Sequence, residues 1–392
     1  MGFTKVFKEL VERKQRAESG KFNCIPFPFP RFRNLLPGIE RGKYVIITAN
    51  QKLGKSKFCD FMFIYEPIFF AIDNPQFHFK VLYFTLEMSP TAKYQEFLSH
   101  LLYRLDGLVI SPTDLKSVDS SHPIKQEILD LLQTDRYQKY IKFYEEHVEY
   151  YCESSNPTGL RKIVRAYADT HGTYNHVKFE TINEVTGEKE FKQRLDPDNP
   201  YTPNDPEEYV VIITDNAANI TTEKGMTQKE AIEKWSKDCI VFRDQLNYIP
   251  ILIQHQAQSQ ESVENRKMDM TIPSSAGLAV SKTTANDASM VIGLYNPFKY
   301  GKKDYEGFNL ERLRDYARFM VVCEDRDYGA NNNICPLFFN GASSYWAELP
   351  LPNNTSEMNA VYSHIESLEN RKTKKTFFLK VLLNKLKQLN NG

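Results

Sequence analysis

Apolar and polar positions along this chain follow the pattern of strands separated by helices. From Lys43 onward, continuous apolar runs alternate with segments whose apolar residues recur at helical spacing. Continuous apolar runs are typical of buried parallel strands, because helices cover both faces of such a sheet. The runs that predict strands are residues 44–47, 81–86, 209–215, 249–255, 289–295, 318–324 and 334–340. The pattern therefore predicts an α/β fold with a mostly parallel sheet flanked by helices.

The pattern changes at both ends of the chain and at one internal segment. Residues 1–20 carry apolar residues at helical spacing among lysines and arginines, which predicts an amphipathic helix that docks on its own domain or on a neighbouring subunit. Residues 21–42 form a proline-rich linker and the entry to the core, which spans 43–350. A polar hairpin is expected at about 172–206, and a short strand near Ile141 to Tyr144. Residues 351–392 form a basic C-terminal tail with a helix.

Composition narrows the range of functions. The chain has 392 residues, with 50 basic and 50 acidic side chains, so no global field draws it to nucleic acid or to acidic lipid. Its six cysteines form no C-x-x-C pair, which favours reduced thiols over disulfides or a zinc site. The N-terminus lacks the apolar core of a signal peptide. We therefore expect a cytoplasmic protein without a membrane partner.

The stretch ITANQKLGKSKF, residues 47–58, has the composition of a phosphate-binding loop between a strand and a helix. Such a loop needs backbone amides that face an anion, a lysine for the outer phosphates and a hydroxyl for Mg²⁺. Lys55 and Ser56 supply the last two, and Ala49 stands where a first glycine is usual. The residues predicted to bind the nucleotide are Ala49, Asn50, Gln51, Lys52, Leu53, Gly54, Lys55, Ser56 and Lys57.

Two acidic residues end predicted strands. Asp215 follows VVIIT and is a candidate metal ligand, with a cap on the following loop as the alternative role. Glu87 follows VLYFTL and is a candidate general base for the attack of water. Ligands of open α/β sheets bind at the carboxyl ends of strands, where both acids are expected to lie.

Six segments occur in a characteristic order: ANQKLGKS, FTLEMS, VVIITD, IPILIQHQAQS, ANDASMVIGLY and VVCEDRDYG. This set, spread over about residues 33–349, resembles the motor domain of DnaB-type replicative helicases, which are RecA-like P-loop ATPases. The resemblance implies a RecA-like core with antiparallel strands at the C-terminal edge of the sheet. It also implies ATP and Mg²⁺ as cofactors, single-stranded DNA as partner and a homo-oligomeric ring, a hexamer in this family.

The resemblance assigns roles to individual positions. Lys55 and Ser56 would bind phosphate and Mg²⁺, Glu87 would activate water, and Asp215 would complete the metal shell. Gln256 would sense the γ-phosphate and couple it to DNA-binding loops. Arg326 would be an arginine finger inserted into the neighbouring subunit's site.

Two loops are expected to face DNA, residues 217–226 and 257–285. Their candidate DNA-binding cations are Lys224, Arg266, Lys267 and Lys282, and the alternative for each is an ordinary solvated surface position. In this family a C-terminal tail commonly recruits other replication proteins. Primase or a loader is thus a further implied partner.

The chain departs from the family pattern in several places. Glu324 stands where relatives usually have a lysine, a role that Arg318 or Lys282 could take over. The insertion at 172–206 is unfamiliar, and only about forty residues precede the phosphate strand. These departures suit a compact phage-type or otherwise divergent member, and a phage protein would work in the host cytoplasm. The alternatives are a RecA-like recombinase or other RecA-fold ATPase, and a nucleotide-binding replication or loading factor with weak or no turnover.

Overall fold

The computed structural model describes residues 3–153, 155–182, 187–268 and 270–373. The predicted helical face from Phe378 to Leu389 in the basic tail lies outside these residues. Within the described ranges, no helix has both the length and the apolar content needed to cross a bilayer.

Helices and strands alternate through most of the chain. The helices are α1 (Phe3–Glu18), α2 (Lys55–Asp60), α3 (Glu66–Asp73), α4 (Pro90–Asp106), α5 (Pro112–Leu115), α6 (Gln126–Leu132), α7 (Asp135–His147), α8 (Pro157–His171), α9 (Gln228–Leu246), α10 (Val263–Lys267), α11 (Thr283–Asp287), α12 (Leu310–Leu313) and α13 (Thr355–Thr373). The strands are β1 (Ile25–Pro26), β2 (Gly38–Ile39), β3 (Val45–Ala49), β4 (His78–Thr85), β5 (Val148–Tyr151), β6 (Gly172–Tyr174), β7 (His176–Ile182), β8 (Lys189–Leu195), β9 (Tyr201–Pro203), β10 (Glu208–Asp215), β11 (Ile249–His255), β12 (Met290–Tyr295), β13 (Asp304–Tyr305), β14 (Phe308–Asn309), β15 (Ala317–Asp325), β16 (Ile334–Asn340) and β17 (Tyr345–Glu348).

The main sheet has nine strands, in the order β17, β16, β15, β12, β3, β11, β10, β4, β5. The run from β3 through β11, β10 and β4 to β5 is parallel throughout. At the other edge, β16 and β17 pair antiparallel. The structure thus confirms the predicted α/β fold, with a mostly parallel sheet and antiparallel strands at the C-terminal edge.

The chain divides into two compact units. The first comprises residues 3–90, 143–293 and 321–333, and the second comprises residues 91–142, 294–320 and 334–373. In the first unit, α9 begins at a capping box formed by Thr227 and Glu230 and buries Trp235 against the ring of Phe84. Burial of such large apolar side chains stabilises the sheet face that α9 covers.

Strand register places four carboxyl ends at one edge of the sheet. Thr85 of β4 pairs with Asp215 of β10, and Asp215 pairs with Ile253 of β11. Farther along β11, His255 pairs with Ala49 of β3. The segments that follow β3, β4, β10 and β11 therefore begin side by side, as parallel strands require.

One predicted strand is wrong. The segment Ile141 to Tyr144 lies within α7, and the edge strand begins later, at Val148. The reason is the spacing of buried tyrosines in α7. Tyr137, Tyr140 and Tyr144 are all buried at intervals of three and four residues, which is helical periodicity.

The N-terminal helix forms as predicted, but its apolar face does not dock on its own domain. Phe3 is 82% exposed and Phe7 is 64% exposed, with Leu10 and Val11 also exposed. The helix is attached instead through its basic side chains. The proline-rich segment that follows packs closely, and its Phe27, Phe29 and Phe32 are buried.

The insertion consists of two nested antiparallel pairs. β6 pairs with β9 at the base, and β7 pairs with β8 beyond it. Ile182 and Phe191 are exposed on the outer pair.

The second unit contains the β16–β17 hairpin, α4 and α13. His100 of α4 is fully buried and stacks on Tyr345 of β17, with ring centroids 6.1 Å apart. Burial, together with the positive charge of Arg104, lowers the pKa of His100 to about 3.

Candidate functional site

The loop between β3 and α2 bends sharply before the helix begins. Gly54 has φ +91° and Lys52 has φ +61°, and the positive φ at Gly54 is readily accessible to glycine. The Lys55 side chain is buried, and its ammonium donates to the carbonyl oxygens of Asn50 (3.2 Å) and Ala49 (3.4 Å). The loop thus curls around its own lysine, and the backbone has the form of a phosphate cradle.

Asp215 meets this loop at the end of β10. It is buried, with 1% of its surface exposed, and each carboxylate oxygen accepts a hydrogen bond. Ser56 Oγ donates to Oδ1 at 3.0 Å, and the Tyr83 hydroxyl donates to Oδ2 at 3.0 Å. Burial and the Asp215 charge raise the Tyr83 pKa, which keeps the phenol protonated as a donor.

Glu87 lies in the turn after β4, next to the end of β10. It is exposed, and the Asn216 side-chain amide donates to Glu87 Oε2. The backbone of this turn is also fixed to β10, since Leu86 N–H donates to the Asp215 carbonyl at 2.9 Å. The two acids predicted from the sequence are therefore joined by contacts at one sheet edge.

Gln256 lies on the other face of the sheet from Asp215. Its Nε2 donates to Thr48 Oγ1 (3.0 Å) and to the Ser274 carbonyl (2.9 Å). Gln254 of the same strand also binds this segment, donating to the carbonyls of Ala279 and Ser281 at 2.8 Å each. Gln256 thus connects the strand before the phosphate loop to the 257–285 segment.

His255 is a site residue that the sequence reasoning missed. It shares the sheet face of Asp215, because β11 places Ile253 opposite Asp215 and side chains alternate. Burial, followed by the positive charge of Lys55, lowers the His255 pKa to about 4, with Asp215 opposing the shift. The imidazole is therefore neutral near pH 7. The alternation of IPILIQHQ around Asp215's partner was the signal that could have identified it.

Arg326 is exposed in the loop after β15. Its guanidinium donates to the carbonyl of Asn286 at 2.5 Å and is 3.5 Å from that of Ala285. Glu324 is half-buried on β15. Arg318, considered above as its replacement, is buried and bonded to Asp315 and the Ala317 carbonyl, so it cannot reach a phosphate.

The candidate DNA-binding cations all lie on the surface. Lys224 follows β10, whereas Arg266 and Lys267 end α10, and Lys282 precedes α11. Val263, Met268 and Met270 are exposed beside them. Both segments start at the carboxyl edge of the sheet that carries Asp215.

The fold and this edge define a RecA-like P-loop architecture. Comparison with known proteins adds two solved structures of this architecture. One is an ATPase domain with a TM-score of 0.59 and 13% identity, matched over 88% of this chain and 99% of that chain. The other is a DnaB-like replicative helicase, solved to describe its interactions with primase, with a TM-score of 0.59 and 14% identity over 86% of this chain and 67% of that one. No protein-family model and no curated protein sequence matches the chain. At these identities the comparisons establish the shared fold.

Proposed function

We propose that this protein is an ATP-driven translocase on single-stranded DNA, a replicative helicase of the DnaB type. The observation that carries the proposal is the contact of Ser56 with Asp215, beside the Lys55 loop and next to Glu87. These groups occupy the carboxyl edge of a sheet that is shared with solved helicase and ATPase domains. RecA-like motors hydrolyse ATP at this edge.

The residues present fit a magnesium-bound nucleotide. A hydroxyl and a carboxylate oxygen 3.0 Å apart, at Ser56 and Asp215, are the hard oxygen ligands that Mg²⁺ prefers. Backbone amides from Asn50 to Lys57 would receive the phosphates, and Lys55 would leave its loop carbonyls for the outer phosphate oxygens. When bound, the ion neutralises charge on the outer phosphates.

Glu87 and His255 complete the chemistry on this chain's own edge. Glu87 would orient the attacking water and accept its proton, held in place by Asn216. The neutral His255 imidazole, beside Lys55, would donate a hydrogen bond to the γ-phosphate. Gln256, bonded to Thr48 and Ser274, would then transmit nucleotide state to the DNA-facing segment.

Arg326 would act on a neighbouring subunit. Its contacts within the described ranges are with the end of α11, not with Lys55, Ser56 or Asp215 of its own chain. A finger used across an interface requires a ring or filament, for which we propose a hexamer. The exposed apolar face of α1 supports assembly, because such a face is expected to bury itself against a partner.

Single-stranded DNA would pass along Lys224, Arg266, Lys267 and Lys282. A few cations per subunit, repeated around a ring, can follow a phosphate backbone although the chain has no net charge. We further propose contact with primase, a loader or other replication proteins, as befits a replicative helicase working in the cytoplasm, including that of a phage-infected host.

Glu324 favours one alternative, a nucleotide-binding loading factor with weak turnover. A carboxylate near a developing phosphate charge weakens transition-state stabilisation. A RecA-like recombinase would be recognised by strand exchange without directional unwinding.

The test combines three measurements on the full chain. We expect ATPase activity stimulated by single-stranded DNA, unwinding of a forked duplex, and a larger particle with a non-hydrolysable ATP analogue. Lys55→Ala and Glu87→Gln should abolish both activities, whereas Lys8→Gln on the exposed side of α1 should change neither. A monomer with unstimulated ATPase activity would overturn the helicase assignment, and tight ATP binding without turnover would favour the loading factor.

A further inference from the structure

Two elements meet at one carboxylate, that of Glu40. This residue lies between β2 and β3, where the chain enters the phosphate strand. Arg13 of α1 forms an ion pair with Glu40 Oε2 at 2.6 Å. The Tyr328 hydroxyl donates to the other oxygen, Oε1. Each oxygen of Glu40 thus serves a different element, and the side chain is only 20% exposed.

Tyr328 belongs to the loop that carries Arg326. Asp325 holds this loop rigid, because its carboxylate accepts the backbone amides of Asp327 (3.2 Å), Tyr328 (3.0 Å) and Ala330 (2.8 Å). A rigid loop transmits displacement, so the anchor of the Tyr328 ring also fixes the backbone at Arg326.

Helix α1 is attached by its C-terminal half alone, as far as the described contacts go. Arg13 binds Glu40, and Arg16 binds Glu207 at 2.8 Å and the Phe22 carbonyl at 2.7 Å. The apolar residues Phe3 and Phe7 extend from this attachment into solvent. Any partner that covers that face pulls on the helix whose basic side holds Glu40.

We propose that Glu40 is a positioning residue that relays the placement of α1 to Arg326. While Arg13 holds one oxygen, the other is aimed at Tyr328 and the finger loop is fixed. When α1 shifts, the carboxylate turns and the loop is released. The inference rests on the proposed function, since it assumes that Arg326 acts in a neighbouring subunit's site.

A subunit-mixing experiment isolates this relay. An Arg326→Ala subunit has an intact phosphate site without a finger, and a Lys55→Ala subunit has a finger without an intact site. In a mixture, ATP is hydrolysed only where the second subunit donates its finger to the first. We expect the mixture to recover activity that neither variant has alone.

The relay is then tested in the donor subunit. Adding Tyr328→Phe to the Lys55→Ala donor should lower the recovered rate about tenfold, as misplacement of a catalytic group does. Arg13→Gln in the donor should give a similar loss. Combining the two changes should add little, because both act through Glu40. Donors with Lys8→Gln, on the same helix but paired only with Glu12 among described contacts, should match the parent.

The outcomes separate the two levels of the proposal. No recovery with the unmodified donor, despite a particle of the parent size, overturns the finger assignment and the relay with it. Full recovery with the Tyr328→Phe donor overturns the relay alone, as does strict additivity of the two changes. Should Tyr328→Phe fail to fold, Glu40→Gln provides the same test. It keeps an acceptor for Tyr328 but loses the charge that binds Arg13, and it should behave as Arg13→Gln does.

Discussion

The hydroxyl of Tyr83 makes a specific claim about metal binding. Tyr83 is fully buried and donates to Asp215 Oδ2 at 3.0 Å, while Ser56 binds Oδ1. Tyr83→Phe removes this one donor and keeps the ring. A hydrogen bond to a charged group contributes about 1.5 to 3 kcal/mol. Much of that loss weakens the metal-free protein as well, so only the difference between the two states changes metal affinity.

Partners that orient a metal ligand typically change metal affinity by about 10- to 100-fold. We expect the lower end, about tenfold or 1.4 kcal/mol, because Ser56 still holds the other oxygen. The Mg²⁺ concentration for half-maximal binding of a fluorescent ATP analogue should rise by that factor in Tyr83→Phe. The measurement reads binding directly and does not depend on turnover.

Tyr209→Phe is the matched control. Tyr209 is also buried, but it lies at the opposite end of the strands, where its hydroxyl donates to the Phe22 carbonyl at 2.9 Å. This variant should lose about 1 kcal/mol of stability without a change in Mg²⁺ dependence. Equal Mg²⁺ midpoints for the two variants and the parent would refute the assignment of Asp215 as the metal ligand that Tyr83 orients.

Three further predictions follow from the same coordinates. His255→Ala should lower the ATPase rate roughly hundredfold, as loss of one transition-state donor does, whereas Gln256→Ala should mainly abolish stimulation by DNA; steady-state assays with and without DNA distinguish them, and equal effects in both would contradict the division of roles. Replacing Arg266 and Lys267 by alanine should reduce the salt dependence of single-strand binding by about 0.7 per contact, measured by fluorescence anisotropy, and an unchanged slope would exclude them from the interface. The neutral form of His100 contributes stability that is complete above pH 6.5 and is lost as pH falls toward 3, because the unfolded chain binds that proton first. Urea unfolding between pH 7 and pH 4 should therefore show a shallower pH dependence in His100→Phe, by up to about 1.4 kcal/mol per pH unit, than in the parent.

The sequence was informative wherever a strand is buried on both faces. Runs such as VVIITD can satisfy a long apolar surface only inside a covered sheet, so the position of Asp215 followed from the run it ends. The loop from Ala49 to Lys57 was equally legible, since glycine, lysine and serine at that spacing have few other uses.

Position along a strand was readable, but side-chain direction was not. His255 and Gln256 are adjacent, and only the register against Asp215 and Ala49 shows that the histidine, not the glutamine, shares the face of the metal ligands. A one-residue shift in register exchanges the two faces of a strand, and a single sequence does not contain the register.

Helix and strand signals also overlap in short aromatic segments. The IKFY segment at 141–144 has enough aromatic and β-branched character for a strand, yet Tyr137 and Tyr140 precede it at helical intervals and extend α7 through it. The docking of α1 was misjudged for a different reason. Amphipathicity shows that a face needs a cover, but not which molecule provides it.

The nested pairs of the insertion have a practical consequence for labelling. Gly172 and Pro203 pair in register, so the excursion leaves and rejoins the body at a single point. Along β10, that point is separated from Asp215 by roughly 23 Å of extended chain. A fluorophore attached to the exposed β8 strand would therefore report on rotation and collisions of the particle without touching the chemistry. It could serve as a handle for single-particle tracking of the intact assembly.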